Sequence, residues 1–204
     1  LTSIIGLADT ALSDSPEITE AKRCELLAGI REDANWLLNM VENLLSVTRI
    51  RVGDTHVNTS PEPLEEVVAE AVQRFRKRLP QSKVDVKVPD EFLMVPMDAT
   101  LIEQVIINLL ENAVDACAGS DAEIQPFIRL HVVQTGSSML SITADNTSSG
   151  SPNWSGDKLL STKHSGYGIG TESIRMIAER YSGDARFRWK DGIFYASVML
   201  NPQV

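Results

Sequence analysis

The sequence is short of the residues that would make several functions possible. It holds two cysteines, Cys24 and Cys117, far apart and each inside a helical pattern. A disulfide scaffold or a structural zinc site needs more ligands at closer spacing, so both thiols are read as reduced, as suits a cytoplasmic chain. Basic residues are outnumbered, 19 against 28 acidic ones. The resulting net charge of −9 offers no broad footprint for nucleic acid, which needs clustered cations, although a few local donors can still hold a nucleotide. No apolar run reaches the roughly 18 residues of a membrane span, and no signal peptide is visible. Histidine is scarce too: His56, His131 and His164 are the whole set. What is present is ordinary. With 43% apolar and 23% charged residues the composition is globular, and 204 residues give room for one domain with a helical appendage.

The chain opens on Leu1-Thr2-Ser3-Ile4-Ile5, in mid-helix pattern without Met or cap. It reads as the inside of a longer chain, and a membrane anchor upstream is compatible with it. A first helix runs to about Leu12 and is broken at Asp14-Ser15-Pro16. Thr19 or Ser15 caps a second, from about Glu20 to Ile50. Along it Leu26, Ile30, Asp33, Leu37, Met40, Leu44 and Val47 alternate steps of four and three, a coiled-coil seam with one polar position. Two helices cannot bury both faces alone, so a hairpin that dimerises into a four-helix bundle is expected. The bland alternative is a helical pair packed on its own globular domain.

Past a hinge at Gly53-Asp54 the pattern changes. Expected here are a short strand at His56–Asn58, a helix near 62–78, strands at Val84–Val88 and Leu93–Val95, and a strongly apolar helix from about Ala99 to Cys117 capped by Asp98. Strands follow at about 127–134 and 139–145. Residues 147–167 are a polar loop, long enough to be functional or mobile. A helix returns at Gly168–Tyr181, and Asp191-Gly192 turns between two final strands. The order predicts an α+β layered sandwich, with domains at 1–52 and 53–204.

Three groups of residues carry possible chemistry. Asn108 and Asn112 lie four apart on the apolar helix, so both project from one face. A carboxamide oxygen suits Mg²⁺, and an apolar flank leaves such side chains in need of a partner. Taken alone, two surface asparagines are the ordinary reading. Asp145-Asn146 ends a strand, where either oxygen could accept from the amino group of adenine; taken alone, it is a common turn dipeptide. Gly166-Tyr167-Gly168-Ile169-Gly170 follows Thr162-Lys163-His164 and opens a helix. Glycines let a backbone approach a phosphate, the helix offers free N–H groups, and Thr162 and Lys163 add donors. It matches neither a Walker loop nor a dinucleotide fingerprint.

Together and in this order, these groups resemble the Bergerat (GHKL) ATP-binding fold of gyrase, heat-shock chaperones, MutL mismatch-repair proteins and histidine kinases, over roughly residues 57–200. The resemblance implies that Asn112 binds Mg²⁺, that Asn108 is the candidate catalytic polar group beside the nucleotide, and that Gly166 to Gly170 line the triphosphate under a mobile lid. His164, Tyr167, Ile169 and Asp115 join the nucleotide-binding candidates on the same ground. The front half decides the member. Leu1 to Gly6, Ile30 to Ala34 and Met40 to Ile50 are similar to the dimerisation hairpin of bacterial sensor histidine kinases of the Kdp type. Val114 to Cys117, Ser161 to Lys163 and Asp191 to Phe194 look more like the Agr type. Implied in turn are Mg-ATP, a homodimer through the hairpin, transfer of the γ-phosphate to a histidine, and a response regulator as partner, in the cytoplasmic portion of a membrane-anchored sensor.

The chain departs from that pattern at three places, the Agr-like back half being one. None of its histidines begins the acceptor motif His-Asp/Glu-Leu-Arg-Thr-Pro, which would stand before Leu1. The usual Asp-x-Gly-x-Gly is reduced to Asp145-Asn146-Thr147-Ser148-Ser149. By strand phase Leu140, Ile142, Ala144 and Asn146 point inward, whereas by identity Asp145 is the better match. Asn146 is preferred and both are kept. Two other readings stand beside the kinase: a nucleotide-binding pseudo-kinase without turnover, and a conformational ATPase of the same fold. The second would want a general-base carboxylate where Asn108 stands.

Overall fold

A computed structural model describes residues 1–13, 18–51, 57, 59–117, 125–136, 139–148, 150–156, 158–160 and 168–202. The chain divides into two compact units, Leu1–Ser46 and Val47–Val204. The first holds α1 (Thr2–Leu12) and most of α2 (Glu20–Arg51), a helical pair. Thr19 caps α2, its Oγ1 accepting the Lys22 N–H at 3.2 Å. Leu26 and Ala11 are buried, and Gly29 leaves room for Leu7, whose Cδ1 would stand 3.3 Å from a Cβ there.

The second stripe on these helices faces outward. Leu1 at the N-cap of α1, Ile5 and Leu12 on it, and Leu27, Leu38 and Val41 on α2 are all exposed, about half or more of each surface. The expected seam is thus divided: Leu26 is buried, Ile30 and Leu37 are half-buried, and the exposed apolar line lies beside them at Leu27, Leu38 and Val41.

The second unit is the expected α+β sandwich. Its main sheet has the order β2-β4-β5-β9-β8, built from Asp85–Lys87, Ile128–Thr135, Met139–Thr147, Ile193–Leu200 and Asp184–Lys190. Only β2 runs parallel to its neighbour; the other three pairings are antiparallel. Helices α3 (Leu64–Arg78), α4 (Ala99–Cys117) and α5 (Ile169–Arg180) supply the other layer. Their buried faces share one apolar core with Leu130, Val132, Leu140, Ile142, Ala144, Val198 and Leu200 of the sheet. These strand residues alternate in sequence, which is why one face is dry and the other carries Arg129, Asp145, Tyr195 and Arg188 in register across four strands. The turn at Asp191-Gly192 has φ of 50° and 76°, the two-residue geometry that matches strand twist.

Two expectations shift. The first strand of this unit is β1, Ser60–Pro63, paired antiparallel with β3, Met94–Met97; of the expected strand, His56 and Asn58 lie outside the described residues. Pro61 and Pro63 stand in this strand, tolerable in a two-stranded pair with an open edge, so α3 starts at Leu64. The polar stretch after β5 also contains a small hairpin of β6 (Trp154–Ser155) and β7 (Lys158–Leu159), too short to leave a periodic signal.

Candidate functional site

Helix α4 is the axis of the site. At its start the Leu101 N–H donates to Asp98 Oδ1 at 3.2 Å, and the Asp98 N–H donates to the Tyr181 hydroxyl at 2.8 Å. Tyr181 follows α5, so the bond ties the beginning of α4 to the end of that helix. Burial pushes the Tyr181 phenol up to about 12. It therefore stays a neutral acceptor.

From Leu101 to Leu110 every side chain but Gln104 is buried. Two polar ones are included, and each has company. Glu103 meets Arg74 of α3 at 2.8 Å, while burial outweighs that cation and raises its carboxyl above the usual range. Asn108 Oδ1 accepts from Gln104 Nε2 at 3.1 Å, one turn back. Asn112, half-buried, is the next residue on this polar line, and Asp115, exposed, lies a turn further on.

Two other elements converge on the end of α4. The Cys117 thiol lies 3.2 Å from both the carbonyl and the hydroxyl oxygen of Thr147, so the last turn of α4 rests on the end of β5. Five residues of helix, about 7.5 Å, separate that contact from Asn112. Asn146, one position before Thr147, is buried on the helix-covered face and in register with Phe194 of β9. Its Nδ2 donates to the Thr147 carbonyl at 2.8 Å, which leaves Oδ1 as the acceptor. Asp145 is on the other face, where burial raises its carboxyl and Arg129 and His131 pull it back. The strand phase therefore separates the two candidates: Asn146 shares the face of α4, and Asp145 does not.

The start of α5 is the third element. A Cβ on Gly170 would stand 3.3 Å from Asn112 Oδ1 and 3.4 Å from its Nδ2. Glycine there lets the carboxamide lie directly on the helix backbone. Gly168 caps α5 with φ of −67°, so its value is also space rather than an unusual dihedral: a Cβ would meet Thr171 Oγ1 at 3.0 Å. The first N–H groups of a helix have no acceptor within it and favour an anion. Asn112, Gly168, Ile169 and Gly170 are thus brought together, although 58 positions separate Asn112 from Gly170. Thr162, Lys163, His164, Gly166 and Tyr167 lie outside the described residues.

Sequence reasoning missed one more pair here. Lys158 of the small hairpin contacts Glu172 of α5 at 3.0 Å. An acidic residue in a helix's first turn was the only available sign of it.

The GHKL domain model matches residues 97–201, just over half of the chain and all three elements of the site. The chain belongs to the GHKL domain family. Within that family it is homologous to sensor histidine kinases of the Kdp type. It is 49% identical over 113 residues to the sensor protein KdpD of Clostridium acetobutylicum, in a match spanning 55% of this chain and 13% of that protein. Among solved structures, the histidine kinase AdeS of Acinetobacter baumannii superposes with a TM-score of 0.70 at 18% identity, over 100% of this chain and 95% of that one. The histidine kinase ThkA, in a structure with response regulator protein TrrA, gives 0.64 at 19% identity, over 99% of this chain and 58% of that one. The fold is that of histidine kinase catalytic domains. No helix among the described residues is long and apolar enough to cross a membrane.

Proposed function

We propose that this chain is the catalytic core of a sensor histidine kinase, binding Mg-ATP and delivering its γ-phosphate to a histidine on a dimerisation helix. The observation that carries the reading is the seating of Asn112 against Gly170. It puts a neutral metal-type oxygen at the start of a helix whose free N–H groups suit phosphate. Asn112 would hold Mg²⁺, the first turn of α5 would hold phosphate, and Asn146 Oδ1 would accept from the adenine amino group. The donor set fits, because it is neutral oxygen and backbone N–H with a glycine keeping the space open. Mg-ATP supplies the transferable phosphoryl group and the charge that balances it.

What the chain itself contributes is positioning. Asn108 is a positioning residue in this scheme: bonded to Gln104, it braces the polar line on which Asn112 stands. Being an amide, it is a poor general base, which favours transfer to a protein acceptor over hydrolysis. Titration calorimetry with ATP, with and without Mg²⁺, tests the reading; a folded chain that binds neither form would end it.

The exposed line of Leu27, Leu38 and Val41 supports a second part of the proposal, a homodimer through the helical pair. We expect Leu38→Glu to give monomers by sedimentation, because a carboxylate forced into an apolar seam costs several kcal/mol. Leu37→Glu is the less clean test, since Leu37 is half-buried within the pair. A Leu38→Glu chain that still dimerises would rule this face out. The response regulator is proposed as the downstream partner.

A further inference from the structure

The hairpin of β6 and β7 is fastened to the start of α5. The Leu160 N–H closes it on the Asn153 carbonyl at 2.9 Å, and the Leu159 carbonyl accepts the Gly168 N–H at 3.1 Å. Leu159 is buried beneath it. These contacts carry Lys158 to Glu172, one turn into α5, with 40% and 31% of the two side chains exposed. Glu172 lies two residues beyond Gly170, the glycine on which Asn112 rests. The two cations of α5 itself stand further along it: Arg175 lies over the Phe187 ring at 5.5 Å, and Arg180 is in the last turn.

A polyphosphate arriving at the first turn of α5 therefore meets one carboxylate and one ammonium already paired to it. An ion pair this exposed holds its partners loosely. Lysine is also a point charge on a flexible stem, able to change partners without rebuilding its surroundings. We propose that Lys158 is a phosphate-binding residue of this site, kept in reserve by Glu172 and handed over when nucleotide binds. The proposal rests on the nucleotide reading above. It adds a discriminator of phosphate number, since the exchange favours whichever ligand brings more negative charge to the start of α5.

A static latch and an exchanging pair predict opposite results for the two partners. Calorimetry on the 204-residue chain would compare Mg-ATP, Mg-ADP and, by competition, adenosine. For exchange, Lys158→Met weakens Mg-ATP about tenfold, the size of one charge-assisted hydrogen bond. It weakens Mg-ADP less and leaves adenosine alone, and Lys158→Arg restores most of the loss. Glu172→Gln removes the competitor and the repulsion, so it tightens Mg-ATP severalfold, and added salt shrinks both differences. Parallel weakening of all three ligands by Lys158→Met and Glu172→Gln would show that the pair only holds the hairpin, and would overturn the proposal. An unmutated chain that binds none of the three would instead overturn the nucleotide reading itself.

Discussion

Asn112→Ala is expected to lower Mg-ATP affinity by about a hundredfold, the upper range for disturbing a metal's protein support. The variant should keep its fold, because Asn112 is half-buried and its loss leaves only a shallow gap against Gly170. The decisive comparison is between ATP with and without Mg²⁺. If Asn112 holds the ion, the unmutated chain gains much of its affinity from Mg²⁺, and the variant gains little. Asn112→Asp should retain the gain, since it keeps an oxygen ligand. Equal Mg²⁺ dependence in Asn112→Ala and the unmutated chain would remove this residue from the metal site. Gly170→Ala makes an independent check from the other side of the contact. A methyl group 3.3 Å from Asn112 Oδ1 requires the carboxamide to give by a few tenths of an ångström, so a smaller loss in the same direction should follow without any change in ligand chemistry.

The second large effect concerns transfer. Incubated with γ-labelled ATP, the 204-residue chain is expected to take up no acid-labile label, whereas a chain extended upstream by His-Asp-Leu-Arg-Thr-Pro should become labelled. The three histidines are poor acceptors, His131 by its placement and the other two by their sequence context. His131 is half-buried in the middle of β4, opposite Thr143, whose hydroxyl donates to the His131 carbonyl at 3.3 Å. It cannot swing to an in-line position without leaving the sheet. His56 and His164 lie outside the described residues, and neither begins the acceptor motif. Label on any of the three in the unextended chain would refute this. A blank result after extension, with Mg-ATP bound, would instead favour a nucleotide-binding module without turnover.

How far the sequence reached can be seen at particular residues. The period-two alternation of Leu140, Ile142 and Ala144 places Asn146 on the buried face, and Asp191-Gly192 marks its turn. Both signals are local. The contact between Asn112 and Gly170 is not, because it exists only once α5 has packed beside α4. The hairpin that carries Lys158 was invisible for another reason: strands of two residues have no period. On α2 two apolar stripes run side by side, at Leu26-Ile30-Leu37 and Leu27-Leu38-Val41, and periodicity alone cannot say which one faces α1.

The placing of β9 between β5 and β8 has a consequence for how this protein can vary. β5 ends at Thr147, held by Cys117 and Phe127, and α5 is capped by Gly168, held by Leu159. The described residues of the excursion between those points add no strand to the main sheet. Lengthening that excursion would cost little more than loop entropy, about 0.6 kcal/mol for each doubling. Insertions there should be absorbed where equal insertions in β4, β5 or β9 would shift a register and turn a buried face outward. Change can accumulate beside the site while the platform beneath it stays fixed.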